Sequence, residues 1–187
     1  MDKEPKKTMA DRIREESFQY RYYLSRDPGT CADALAELAK AEELIIRIEV
    51  ARNKSTSAET LAILAKDEFN CVRMAVAENR HSSDETLAAL AKENDAYICC
   101  ALARNINTPG ETLAGLAKKD DLQIRLLVAQ NRGTPVEVLK SLADNVYEDP
   151  RVQKAAATTQ SEIDRFMKTF SRKKKTGCSA KMKNVIL

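Results

Sequence analysis

Apolar residues in this chain fall into short helical patterns that come in pairs. In IRIEVARN, Ile46 and Val50 stand one helical turn apart with Ala51 beside them. A few residues on, TSAETLAILAKD sets Leu61, Leu64 and Ala65 on one face of a second short helix. The polar stretch between them predicts a turn, so the unit reads as helix–turn–helix. The pattern then recurs as Val72, Val76 and Ala77; Ile98, Leu102 and Ala103; Ile124, Val128 and Ala129. Leu35, Leu61, Leu87, Leu113 and Leu139 are each 26 residues apart, as are Leu38, Leu64, Leu90, Leu116 and Leu142. A fixed period of this length marks stacked supersecondary units. Each unit then contacts only its neighbours, which predicts one continuous body.

The polar positions keep the same step. Asp27, Asn53, Asn79, Asn105 and Asn131 close the first pattern of each unit, and Thr30, Thr56, Ser82, Thr108 and Thr134 follow three residues later. Asparagine tolerates the left-handed conformation that ends many helices. The hydroxyl residues, with Asp33, Glu59, Glu85, Glu111 and Glu137 three positions on, fit capping boxes. Pro109 and Pro135 are then expected at the first helical position, where a missing N–H is harmless. Lys40, Lys66, Lys92 and Lys118 suit the carboxyl ends of the second helices.

Both ends depart from the period. Thr8 and Asp11 predict another box, opening a helix through Met9 and Ile13 into Tyr20, Tyr23 and Leu24. Val152, Ala156 and Ala157 start a sixth unit, with 28 residues from Ile124 to Val152. A last helix is expected from Ser161, bearing Ile163, Phe166, Met167 and Phe170 on one face. The organisation expected is a capping helix in 1–19, a solenoid over 20–157, a capping helix over 158–171 and a mobile basic tail over 172–187. The fold class is all-α, about five helix–turn–helix repeats with helical caps.

Charge divides the chain more sharply than its net +3 suggests. Residues 165–187 carry eight basic residues and no acidic one, leaving about −5 elsewhere. Five cysteines without a CxxC pair point to reduced thiols. With no apolar run long enough for a membrane span and no leader-like amino terminus, the expectation is a soluble, cytoplasmic protein.

The strings VRMAVAENRHSSDETLAALAKEN and IRLLVAQNRGTPVEVLKSLADN resemble the leucine-rich repeat variant family, whose unit reads V-R-x-A-V-A-x-N-x-x-T-P-x-E-x-L-x-x-L-A. The resemblance covers roughly Tyr20 to Ala157. It implies a right-handed superhelix in which an α-helix alternates with a shorter, often 3-10, helix. The unit here is slightly longer, which leaves room for a full α-turn or two in the short helix. Some members carry a cysteine-rich iron–sulfur segment before the repeats. This sequence has no cysteine before Cys31, and that role is not inherited. No active site comes with the resemblance.

Catalytic chemistry is hard to assemble from these residues. His81 is the sole histidine and reads as a loop residue. Cys71, Cys99 and Cys100 fall close in register, but three thiols without a fourth ligand make a poor zinc site. The Asn and Glu rows recur in every unit and read as scaffold. No enzyme activity, cofactor, metal or small-molecule substrate is expected. Partner recognition needs exposed positions that differ between units. Those flanking the closing Asn are Arg52, Glu78, Arg104 and Gln130 on one side, and Lys54, Arg80, Ile106 and Arg132 on the other, which should share one edge. Their mixed charge favours a protein partner. A third row, Arg21, Arg47, Arg73 and Arg125, is broken by Cys99 and is expected to pair with the capping glutamates of an adjacent unit. Arg172, Lys173, Lys174 and Lys175 are candidates for polyanion contact, which keeps nucleic-acid binding as the alternative.

Overall fold

The computed structural model describes residues 8–175, and among them the chain is helical with no strand. Five first-layer helices keep the period to the residue: α2 (Phe18–Arg26), α4 (Leu44–Arg52), α6 (Asn70–Glu78), α8 (Ala96–Arg104) and α10 (Leu122–Gln130). The second-layer helices start on the same period: α3 (Ala32–Leu38), α5 (Ala58–Leu64), α7 (Asp84–Leu90), α9 (Gly110–Leu116) and α11 (Val136–Asp144), the last running two residues longer than the rest. A single short helix, α1 (Met9–Glu15), precedes them, and α12 (Pro150–Lys175) follows. This is an all-α solenoid of helix–turn–helix repeats. The second helices are α and not 3-10, although a 3-10 turn over Ala91–Glu93 extends α7.

Helices of seven or nine residues are too short to persist alone in water. Packing holds them, and the predicted apolar positions supply it. Ile46, Val50, Ala51, Val72, Val76 and Ala77 are fully buried, as are Leu35, Leu61 and Leu87 from the second layer. Each such Leu, Ile or Val contributes about 1.5–3 kcal/mol by leaving water. The alanines let first-layer helices approach closely.

The chain forms two compact units, Met1–Ala101 and Leu102–Leu187. In the first, α2 packs on α4, α4 on α6, and α1 on α3. In the second, α9 packs on α10, and α12 lies against both α10 and α11.

The ends differ from expectation in two places. Thr8 and Asp11 form the predicted capping box, but α1 stops at Glu15 instead of running on, and Ser17 caps α2 afresh by accepting from the Tyr20 N–H. No separate helix begins at Ser161. The sixth-unit pattern and the last amphipathic pattern are one helix, α12, whose start is held by Asp149 accepting from the Arg151 N–H. The Arg151 side chain and that N–H lower the Asp149 carboxyl to about 2. Of the expected tail, residues 172–175 are the last turn of α12, and residues 176–187 lie outside the described residues.

Candidate functional site

The recurring asparagines join one repeat to the next through main-chain atoms. Asn79 Nδ2 donates to the carbonyls of Ala51 (2.8 Å) and Asn53 (3.0 Å) in the repeat before it. Its Oδ1 accepts from the His81 N–H at 2.9 Å, fixing the turn that follows. Asn53 makes the same three bonds to Ser25, Asp27 and Ser55, and Asn131 to Ala103, Asn105 and Gly133. The carbonyls involved are those a helix end leaves without an internal partner. The asparagines are therefore scaffold, as expected, but not by the expected geometry. Their φ values of −67, −74 and −81 are extended backbone. Among the described residues the one non-glycine residue with positive φ is Asn94, after the 3-10 turn.

Asp27 fits the same logic. It ends α2, the first helix of its layer among the described residues, where no earlier helix of that layer offers carbonyls. Only the acceptor half of the amide is needed there, and the Asp27 carboxylate supplies it to the Gly29 N–H at 2.9 Å.

The hydroxyl row is also internal, which corrects the predicted capping boxes. Thr56 Oγ1 donates to the Val50 carbonyl at 2.6 Å, and Thr30, Ser82, Thr108 and Thr134 donate to Leu24, Val76, Leu102 and Val128. All five are buried. The N-cap is the next residue: Ser57 and Ser83 accept from the N–H groups of Thr60 and Thr86. Cys31, Pro109 and Pro135 occupy the same place, so the prolines stand at the N-cap and not inside the helix. A proline φ near −55 with extended ψ suits that place without a side-chain acceptor. Glu59 and Glu85 keep to the first turn, where their own backbone N–H and the neighbouring serine hydroxyl hold their carboxyls below the ordinary range.

The arginine row pairs with acids, but not with those predicted. Arg47 Nε donates to Asp67 at 2.7 Å, Arg73 to Glu93 at 2.8 Å, and Arg125 to Glu148 at 2.9 Å, while Arg21 grips Glu43. These acids lie beyond the second helices, with Glu93 ending the 3-10 turn after α7 and Glu43 at the N-cap of α4. Three of these guanidinium groups also tie down the start of their own helix, Arg47 on the carbonyls of Ala41 and Glu42, Arg73 on those of Asp67 and Glu68, and Arg125 on that of Lys119. Only 12% of the Arg47 and 8% of the Asp67 side chain is exposed, so this pair is far better shielded than a surface ion pair. Burial pushes the Asp67 carboxyl up, but bonds from Arg47 and the Phe69 N–H outweigh it and hold it low. The sequence signal was available: the repeat that replaces the arginine with Cys99 also replaces the acid with Lys119.

The variable set lies in solvent. In the first unit Arg52, Lys54, Glu78 and Arg80 are all exposed, and in the second Arg104, Ile106, Gln130 and Arg132 are. Arg52 lies 3.4 Å from Glu49 on its own helix, and Arg132 lies 2.8 Å from Glu162. Between α5 and α7 runs an open groove of about 500 Å³, lined by Lys66, Glu85 and the Arg73–Glu93 pair. His81 is exposed, Cys99 buried, and Cys71 and Cys100 half-buried. Among the described residues no three His, Cys, Asp or Glu side chains are grouped to hold a metal, and no helix is long and apolar enough to cross a membrane. Arg172, Lys173, Lys174 and Lys175 fall in the final turn of α12.

No family model and no curated protein matches the sequence. Among solved structures, a leucine-rich repeat variant described as having a novel repetitive structural motif matches at 20% identity with a TM-score of 0.58. The match covers 82% of this chain and 62% of the other. At that identity the likeness concerns the fold: this chain is built as a leucine-rich repeat variant solenoid is built.

Proposed function

We propose that the chain is a non-enzymatic scaffold that binds a protein partner through the exposed, unit-specific positions beside the closing asparagines. One observation carries this reading. The Asn and hydroxyl rows that recur from unit to unit are consumed internally, on carbonyls and N–H groups, whereas the exposed positions beside the asparagines vary. A surface that differs from unit to unit can specify where a partner begins and stops. Its mixture of Arg, Lys, Glu, Gln and Ile suits a protein surface better than a uniform polyanion. Solenoid architecture alone assigns no partner.

Capture from native cell extract tests the reading, comparing the wild-type chain with Arg52→Glu/Lys54→Glu and, separately, Arg104→Glu. These positions are exposed, so thermal melting should move little. The expected result is a protein retained by the wild type and lost from at least one variant. If every captured protein is retained equally by both variants, this surface is not the contact.

A further inference from the structure

α12 is far longer than the helices it packs against. Its 26 residues span about 39 Å at 1.5 Å per residue, against about 14 Å for the nine residues of α10 or α11. The apolar stripe that anchors it does not end where that cover ends. Val152, Ala156 and Thr159 are buried, and Ile163 on the same face is half-buried. One turn later Phe166 and Met167 continue the stripe at 51% and 55% exposure. Over this part of the helix the charge is of one sign. Arg165, Lys168, Arg172, Lys173, Lys174 and Lys175 occur with no acidic residue after Asp164. By helical register Arg165 and Lys168 stand opposite the stripe.

We propose that the carboxyl-terminal part of α12, from Arg165 to Lys175, docks on an anionic lipid surface, lying in the plane of the headgroups. The two halves of the pattern answer the two halves of such a surface. A helix sunk to its axis puts Phe166 and Met167 among acyl chains and brings the polar face level with the phosphates, where arginine and lysine are favoured. Clusters of four to eight basic residues on an amphipathic helix have this electrostatic fit, and six lie between Arg165 and Lys175. Duplex nucleic acid would use the charge but has no place for the exposed Phe and Met. Lipid engagement would leave the exposed rows of the repeats available to a protein partner, so it adds to the scaffold reading and does not depend on it.

The test is sedimentation of the full chain with vesicles of phosphatidylcholine alone and of phosphatidylcholine with phosphatidylserine, and in parallel with a duplex DNA fragment. Two variants are compared with the wild type, Phe166→Gln/Met167→Gln and Lys173→Gln/Lys174→Gln; glutamine preserves helix propensity. The wild type should bind the anionic vesicles and not the neutral ones. The first variant should lose at least about tenfold in partition, and the second about fivefold per lysine. The exposed Phe and Met contribute little to folding, so circular dichroism and melting should be unchanged in the first variant. Absence of binding to anionic vesicles overturns the proposal. So does binding that ignores the first variant, since charge alone would then be at work. Equal binding to neutral vesicles, or DNA binding indifferent to the first variant with no vesicle binding, overturns it as well.

Discussion

Replacing Asn79 separates the joint seen here from an ordinary helix end. Alanine at this position removes three hydrogen bonds, leaving the Ala51 and Asn53 carbonyls and the His81 N–H without their side-chain partner. At a net ~0.5–1.5 kcal/mol per bond the cost is about 2–5 kcal/mol, a large share of the stability of a small protein. Aspartate is the sharper probe, because it has nearly the same shape. Its carboxylate would keep the bond from His81 but turn an oxygen, in place of the donor, toward two carbonyls at 2.8 and 3.0 Å. Asn79→Asp should therefore destabilise more than Asn79→Ala at neutral pH. Burial and those carbonyls would raise the pKa of the new carboxyl in the folded state. The penalty is then absent below the unfolded value of about 4 and grows as pH rises through the folded one. Asp27→Asn, where no earlier helix of that layer stands among the described residues, should shift stability by no more than about 0.5 kcal/mol. Urea unfolding followed by far-UV circular dichroism, at neutral and acid pH, reads all four proteins, and hydrogen exchange at His81 locates the loss. A wild-type midpoint for Asn79→Asp that acid does not move would refute the joint.

The corrected cap register predicts that Ser83→Ala costs about 1 kcal/mol as a lost N-cap, while Ser82→Ala costs ~0.5–1.5 kcal/mol as a buried bond to Val76; equal melts of Ser83→Ala and wild type would return the cap to Ser82. Leu90→Ala opens a cavity beneath a fully buried side chain and should cost ~2–5 kcal/mol in the same assay. The depressed carboxyl of Asp67 stabilises the fold above its unfolded pKa of about 4, and that contribution is lost as pH falls through the lower folded value. Asp67→Asn should accordingly be less stable at neutral pH and lose less stability on acidification, as a melting series across that range will show.

The period revealed the scaffold because every unit must bury the same leucines and valines against its neighbours, and a demand repeated five times is readable without a fold. Bond partners were harder to read. The pattern T-x-x-E fits a capping box with Thr56 as the cap, whereas the cap is Ser57 with Thr60 three residues on, and one residue separates a solvent-edge cap from a buried hydroxyl. The prolines after Thr108 and Thr134 held the clue, since they occupy the place of Ser57 and Ser83. Likewise the ion pairs of Arg47 and Arg73 reach loop acids 20 residues on, a distance that no single-helix rule anticipates. The exposed rows were visible as variation, because exposure relaxes the demands that fix the core. Which molecule they meet is not encoded in backbone packing at all.

Asn53, Asn79 and Asn131 grip carbonyl oxygens, and every amino acid presents the same carbonyl. Such a coupling ignores the identity of the residue it holds, much as a thread fits any bolt of the same pitch. Copying or deleting a whole 26-residue segment therefore leaves the couplings on either side matched, while a change of any other length puts them out of step. Gene duplication can thus lengthen or shorten this molecule in whole increments, and each new increment is free to diverge on its outer face from the day it is added.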